Sequence, residues 1–371
     1  MRARMVGSWE LFCTHILILE GLMAVTREDL QAAIDRFPRT ELADLPTRLD
    51  DCPRFSEALG GKVRVMVKRD DLTGLAFGGN KTRKFDLALG DAVAQGATAL
   101  ITGAASQSNH ARQAAAAAAR LGMKCVLVNR HDHRSQMGIQ GNQLLDNILG
   151  ADVRLVVDGV NQNEVKERVV EELTAQGKKP YLIGQRAVVL GTVAYVCCVL
   201  EIVAQLEAMD ARADFICTAS GHGTHAGLAL GVKALGLPIR TQGFSPSKGD
   251  EAQRKARLAE VANEAAELLE LDVRLRAEEL ENTDAYVGEN YGIVTEAGLN
   301  ALHLLARTEG ILLDPVYTSK AMSGVIDRIQ TGEIPEGSTV VYVHTGGNPA
   351  LFAYAPELIS HGDYRQNLVT S

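Results

Sequence analysis

Lys81 stands in the run Gly78-Gly79-Asn80-Lys81-Thr82-Arg83-Lys84, a glycine turn that opens into a helix predicted to begin near Phe85. A lysine at a helix entrance lies among free amides and neighbouring cations that lower its pKa, which an amine needs if it is to form a Schiff base. On its own, such a lysine is more often a solvated surface charge. The neighbouring clusters have to decide.

Gln107-Ser108-Asn109-His110 follows the apolar run Ala99 to Gly103 and precedes an alanine-rich stretch. Short polar side chains and free amides at a helix N-terminus suit a carboxylate, while a plain N-cap by Ser108 or Asn109 explains the same residues. Ser220-Gly221-His222-Gly223-Thr224-His225 lies directly after the apolar run Phe215 to Ala219. Its glycines let backbone N–H groups converge on phosphate oxygens, Thr224 adds a hydroxyl, and the dipole of the helix that follows favours a dianion. His344-Thr345-Gly346-Gly347-Asn348-Pro349 sits at another strand end, with Asp314-Pro315-Val316-Tyr317-Thr318-Ser319-Lys320 upstream. No Gly-Lys-Ser/Thr closes the Ser220 loop, and it lacks the full GxGxxG spacing. No HExxH or GxSxG occurs anywhere in the chain, so metal hydrolysis and serine hydrolysis have no support.

The elements that position these clusters alternate. Apolar strand-like runs at Val63 to Val67, Ala99 to Gly103, Cys125 to Asn129, Val153 to Val157, Phe215 to Ala219, Ile239 to Phe244 and Val340 to His344 are separated by segments of helical period. These include Phe85 to Gln95, His110 to Leu121, Gln162 to Gln176, Gly191 to Met209 and Ala226 to Leu235. That alternation predicts an α/β fold of parallel sheets flanked by helices, with binding clusters at the carboxyl ends of strands. Ala114 to Ala119 reads as a tightly packed helix. Near the start, Thr26 precedes Asp29 in a loose capping-box pattern before a helix from Leu30 to Phe37.

With 371 residues, 46% of them apolar and 23% charged, the chain is long enough for two globular domains. A net charge of -8 gives no field that would gather a nucleic acid. Cys13, Cys52, Cys125, Cys197, Cys198 and Cys217 show no CxxC spacing and read as free thiols in a reducing, cytoplasmic compartment. No apolar run of membrane-spanning length and no internal repeat is read. The segment from Phe12 to Met23 is interrupted by His15 and Glu20, so residues 1 to 22 read as an over-long start or a loosely held arm.

Six motifs in order, GGNKTRK, QSNHAR, QGNQLLDNILGA, THAGLALG, LDPVYTSKA and HTGGNPALFAY, make the chain from Phe37 to Tyr354 resemble a particular family. It comprises the D-cysteine desulfhydrases and 1-aminocyclopropane-1-carboxylate (ACC) deaminases, within the tryptophan-synthase-β-like, fold type II pyridoxal 5'-phosphate enzymes. The resemblance implies two open twisted, mainly parallel sheets flanked by helices, with a small domain (78–195) inserted in a larger one (1–77 and 196–371). It also implies a homodimer. In its terms Lys81 forms the internal aldimine, and Ser108, Asn109 and His110, with Gln107 beside them, receive the substrate carboxylate. Asn109 also lies near the cofactor's phenolic oxygen. Lys84 and the loop Ser220, Gly221, His222, Gly223 and Thr224 hold the phosphate, while Tyr291 and Tyr317 face the substrate. Lys81, Ser108, Tyr291 and Tyr317 are then the catalytic candidates, and Lys81 or Tyr291 removes the α-proton.

Thr318 and Thr345 bear on the choice within the family. ACC deaminases typically carry Glu and Leu at these places, whereas desulfhydrases carry small hydroxylic residues, as this chain does. A neutral partner near the pyridine nitrogen makes the ring a weaker electron sink, which suits prompt β-elimination. The expected activity is therefore conversion of D-cysteine to pyruvate, ammonia and hydrogen sulfide. Departures from the family pattern are Ile183-Gly184-Gln185-Arg186-Ala187-Val188, Val294 and His222. Arg186 reads either as a fork for an anionic side chain, which would favour an L-cysteate sulfo-lyase, or as a surface charge. ACC deamination is a further alternative, and a catalytically silent binding protein on the same fold is the rival of another class.

Overall fold

The computed structural model describes residues 24–362. Ten strands are present among them: β1 Leu49–Asp51, β2 Arg64–Lys68, β3 Ala99–Thr102, β4 Lys124–Arg130, β5 Asp152–Val156, β6 Pro180–Leu182, β7 Phe215–Ala219, β8 Arg240–Phe244, β9 Glu281–Thr283 and β10 Thr339–Val343. They form a six-stranded sheet of order β1-β2-β10-β7-β8-β9 and a four-stranded sheet of order β5-β4-β3-β6. Every neighbouring pair is parallel except β1 with β2. Parallel strands need crossovers, so both faces of each sheet are covered and the central strands read as unbroken apolar runs. β7 is buried at all five positions and β3 at all four.

The seven strands read from the sequence are all present, shifted by at most about one residue at either end. β1, β6 and β9 are additions to that reading; each is three residues long and lies at a sheet edge, too short for a periodic signal. Four helix starts need correction. The helices predicted from Leu30 and Ala226 begin at Arg27 and Gly223. The helix predicted from Phe85 begins at Asn80, so Lys81 lies within its first turn, and the helix predicted from Gly191 begins at Gln185. Thr26 caps its helix as expected, accepting the Asp29 N–H at 3.1 Å. The Cys13 thiol and the reading of residues 1 to 22 as an arm lie outside the described residues. The other five cysteines are free thiols, buried except for the half-buried Cys197.

The helix Gln185–Ala208 also corrects the reading that no apolar run is long enough to cross a membrane. By length and composition it passes that test, with an 18-residue window of mean hydropathy 2.3. Here 67% of that window is buried inside the molecule, against the helices Asn80–Ala94 and Gly223–Ala234. A helix apolar all round needs such an environment. The approach to Gly223–Ala234 is close because a glycine permits it: a Cβ on Gly227 would stand 2.3 Å from the Thr192 carbonyl oxygen.

A buried polar network fixes the helix that carries Lys81. Arg83 meets Asp70 at 2.8 Å and Glu201 at 2.6 Å, Lys68 meets Glu201 at 2.6 Å, and the Tyr195 and Thr47 hydroxyls donate to Asp70 at 2.6 and 2.7 Å. Burial pushes the Asp70 carboxyl up, but Arg83 and Lys68 outweigh it and hold the group at about 2. Every charge in the network has an opposite partner, without which burial would be costly.

Candidate active site

Strand ends build the site. The chain leaves the 3-10 turn at Leu75 with four consecutive residues in the left-handed region, Ala76 (φ 44), Phe77 (φ 68), Gly78 (φ 62) and Gly79 (φ 118), before the helix Asn80–Ala94 begins. Two of the four are not glycine, a local strain of roughly 1–3 kcal/mol each that surrounding bonds must offset. Arg112 and Gln113, from the alanine-rich helix Asn109–Arg120, supply them by donating to the Ala76 and Gly78 carbonyls. Thr73 brackets Gly79 at 2.8 and 2.9 Å, and the Asn80 N–H donates to the Thr345 carbonyl at 3.0 Å. A Cβ on Gly346 would lie 2.6 Å from Gly79 Cα, so the first and last glycine motifs touch because neither has a side chain.

These contacts enclose a cavity of about 230 Å³. Asn80, Lys81, Lys84, Ser108, Asn109 and His110 line it, together with Ser220, Gly221, His222, Thr224, Tyr317, Thr345 and Gly346. An adjoining pocket of about 100 Å³ is lined by Lys81, Lys84, His110, His222 and Gly223, closed by Ala187 and Val188. Ser108 caps its helix, accepting the Ala111 N–H at 3.1 Å, so the N-cap reading and the site reading hold together. Asn109 is oriented through its oxygen, which accepts from Asn142 at 2.9 Å.

Not every expected residue reaches the cavity. Gln107 turns away, its side chain bonding the Gln140 carbonyl and the Asn142 N–H, both at 2.9 Å. Thr318 is fully buried and spends its hydroxyl on Asp314 at 2.7 Å, whereas Thr345 lines the cavity. Tyr291 stands one layer out, its hydroxyl 2.5 Å from that of Tyr317. Arg186 pairs with Asp91 at 3.0 Å, its side chain 56% exposed, and lines neither pocket, so the surface-charge reading of this residue replaces the fork. Two residues escape the sequence reading. Asn80 lines the cavity and binds Thr224, and Asp314 accepts the N–H groups of Val316, Tyr317 and Thr318, aiming Tyr317. An Asp-Pro pair four residues before a helix is a legible capping signal for the latter.

The cavity's charge is one-sided. No carboxylate lines it, yet two lysines do, and neither makes an ion pair among the described residues. Lys81 keeps some surface open to the cavity, but the protein packed around it lowers its amine to about 8; burial and the charge of Lys81 bring Lys84 well below its ordinary value. Burial, then Lys81 and Lys84, lower His110 to about 3, so its ring is neutral, with Nε2 2.8 Å from the Thr102 hydroxyl. Two helix N-termini, of Asn109–Arg120 and Gly223–Ala234, open onto the same space, and the first-turn amides of Gly223 and Thr224 have no intrahelical acceptor. Such a donor set fits a ligand with a dianionic phosphate and an aldehyde within reach of a reactive amine.

Comparison with known proteins agrees. Residues 40–346 match the family described as pyridoxal-phosphate dependent enzyme. The chain is 41% identical over 339 residues to the 1-aminocyclopropane-1-carboxylate deaminase of Burkholderia ambifaria (strain MC40-6), covering 89% of this chain and 99% of the relative. It is 38% identical over 335 residues to the D-cysteine desulfhydrase of Yersinia pestis (strain Pestoides F), with the same two coverages. The crystal structure of an ACC deaminase homologue superposes with a TM-score of 0.81 at 37% identity, over 91% of this chain and all of that one. The crystal structure of a threonine deaminase follows at a TM-score of 0.57 and 25% identity, over 87% of this chain and 98% of that one. Identity of this order over most of the chain, with the same architecture, makes the chain a member of the pyridoxal-phosphate dependent enzymes, of fold type II.

Proposed function

We propose that the protein is a carbon–sulfur lyase that takes D-cysteine and water to pyruvate, ammonia and hydrogen sulfide. The observation that carries this choice is a cavity with no carboxylate in its lining and Thr345 among the residues that line it. Lys81 would hold the cofactor's aldehyde carbon; Lys84, Thr224 and the loop Ser220 to Gly223 would hold its phosphate. When bound, pyridoxal phosphate supplies an electron sink for a carbanion at the substrate's α-carbon.

The chain's own groups do the rest. Ser108, Asn109 and the N-terminus of their helix receive the substrate carboxylate, which fixes the α-carbon near Lys81. An amine near 8 gives up and regains a proton close to neutrality, so Lys81 suits the α-proton transfer. The paired hydroxyls of Tyr291 and Tyr317 share a hydrogen bond, both phenols are raised by burial, and Tyr317 is the one of the two that lines the cavity. Phenols raised in this way stay protonated, and the pair suits a hydrogen bond to the departing sulfur. The C–S bond and then the C–N bond break, with water supplying the keto oxygen of pyruvate.

A second reading, ring-opening deamination of ACC to 2-oxobutyrate and ammonia, is favoured by the 41% identity to proteins of that name. The L-cysteate alternative loses its support with Arg186 outside the cavity. Product analysis for pyruvate, sulfide and 2-oxobutyrate separates the readings: sulfide and pyruvate from D-cysteine are expected. Comparable release of 2-oxobutyrate from ACC would reverse the order.

The same proposal divides the chain into a small domain, 78–195, and a larger one, 1–77 and 196–371. Confinement of the four-stranded sheet to strands between 99 and 182 supports it, although the helix Gln185–Ala208 runs across the second boundary. A cytoplasmic homodimer completes the reading; a monomer mass by light scattering at micromolar concentration would remove the dimer.

A further inference from the structure

Lys320 lies on the helix Thr318–Gln330 and is 3% exposed. Its ammonium makes no ion pair among the described residues; instead it donates to the backbone carbonyls of Val287 at 2.7 Å and Asn290 at 3.3 Å. Lysine is seldom buried, and its charge is unfavourable there unless hydrogen bonds need it. Both carbonyls belong to the turn that leads directly into Tyr291. The turn bends at Gly288 (φ 74), where a Cβ would stand 2.4 Å from Thr295 Cγ2.

The helix that begins at Thr318 therefore grips this loop twice. Lys320 holds its backbone, and Tyr317, the residue preceding the helix, meets the Tyr291 hydroxyl at 2.5 Å. Beyond Tyr291 a third contact, Tyr354 hydroxyl to Gly292 carbonyl at 2.9 Å, closes the far end. Of the three, the Lys320 contact is the only one made to the segment that enters Tyr291.

We propose that Lys320 is a positioning residue for the reaction: its ammonium fixes the turn 287–290 and thereby holds the Tyr291 hydroxyl against that of Tyr317. The inference rests on reading Tyr317, backed by the Tyr291 hydroxyl, as the group that meets the substrate. It assigns to Lys320 no contact with substrate or cofactor.

The test is a double-mutant cycle of Lys320→Met and Tyr291→Phe in the cofactor-loaded enzyme, with the substrate identified by product analysis. Lys320→Met is expected to lower kcat by roughly tenfold while KM and cofactor retention on dialysis change less than about twofold. In the Tyr291→Phe background it should cost less than about twofold more, because the group it positions is gone. A merely structural lysine would weaken both backgrounds alike, and that full multiplicative loss would overturn the proposal, as would loss of cofactor in place of loss of kcat. If Lys320→Met does not fold, Gly288→Ala displaces the same turn and must show the same non-additivity with Tyr291→Phe. Should Tyr291→Phe alone leave kcat unchanged, the role of Tyr291 falls and that of Lys320 with it. If instead Tyr291→Phe lowers kcat and the losses multiply, only Lys320 falls.

Discussion

The side-chain amide of Asn80 donates to the hydroxyl of Thr224 at 3.1 Å, and both groups are buried. This bond joins the residue before Lys81 to the first turn of the helix Gly223–Ala234, which opens at the glycine loop. The Lys81 segment and the glycine loop are thus tied together by side chains of their own motifs.

Thr224→Ala removes that bond and, on the proposed function, one donor to the cofactor phosphate. Cofactor retention should weaken by about 1.5–3 kcal/mol, the range for a hydrogen bond to a charged group. Thr224→Ser keeps the hydroxyl and should restore most of the loss. Equilibrium dialysis reads both, and unchanged affinity in the alanine variant would remove Thr224 from the phosphate site.

Asp70→Asn leaves Arg83 and Lys68 short of a counter-charge in a buried place. The expected loss of stability is about 3–5 kcal/mol, measured by denaturant unfolding. The wild-type carboxyl is held at about 2, below its ordinary 3.8, so its contribution is present above about pH 4. It is lost as pH falls toward 2, because the unfolded chain then binds the proton first. A stability near pH 3 as insensitive to pH in wild type as in the variant would contradict the role given to this group.

Arg186→Ala should leave kcat/KM within about twofold, since its partner is Asp91 and an exposed pair contributes at most ~1 kcal/mol. A several-fold rise in KM would return Arg186 to the substrate.

How much of this is legible in the sequence follows from the kind of signal each part leaves. Central strands such as β7 and β10 are continuous apolar runs and can be read almost to the residue, whereas β1, β6 and β9 are too short to carry a period. Five of the six motifs reach the cavity because glycine-bearing strand ends leave local marks: Lys81, Ser108, Thr224, Tyr317 and Thr345 all line it. Gln107 and Thr318 sit inside the same motifs, but whether their side chains face the cavity or Asn142 and Asp314 depends on backbone direction, which a motif does not encode. Arg186 is ambiguous in sequence for a related reason, as only the packing of the helix Gln185–Ala208 shows it facing Asp91. The helix start at Asn80 is misplaced in the sequence reading because Gly78 and Gly79 hide it; their positive φ values end one conformation and admit the next.

The lowered amine of Lys81 makes a kinetic prediction. Attack on an aldehyde needs the neutral amine, whose fraction rises with pH through one half at about 8 and saturates beyond it. Stopped-flow capture of pyridoxal phosphate by the apo-protein should therefore accelerate from about pH 6, reach half its limiting rate at about pH 8 and level off about one unit above that. Acceleration continuing to about pH 10 would mean an amine of ordinary basicity.

The most direct measurement reduces the cofactor-loaded protein with borohydride and maps the labelled peptide. The pyridoxyl group is expected on Lys81 alone, and Lys81→Ala is expected to fold, to take no label and to have no turnover. A label on Lys84 or Lys320, or none at all, would contradict the assignment of Lys81 on which the whole account stands.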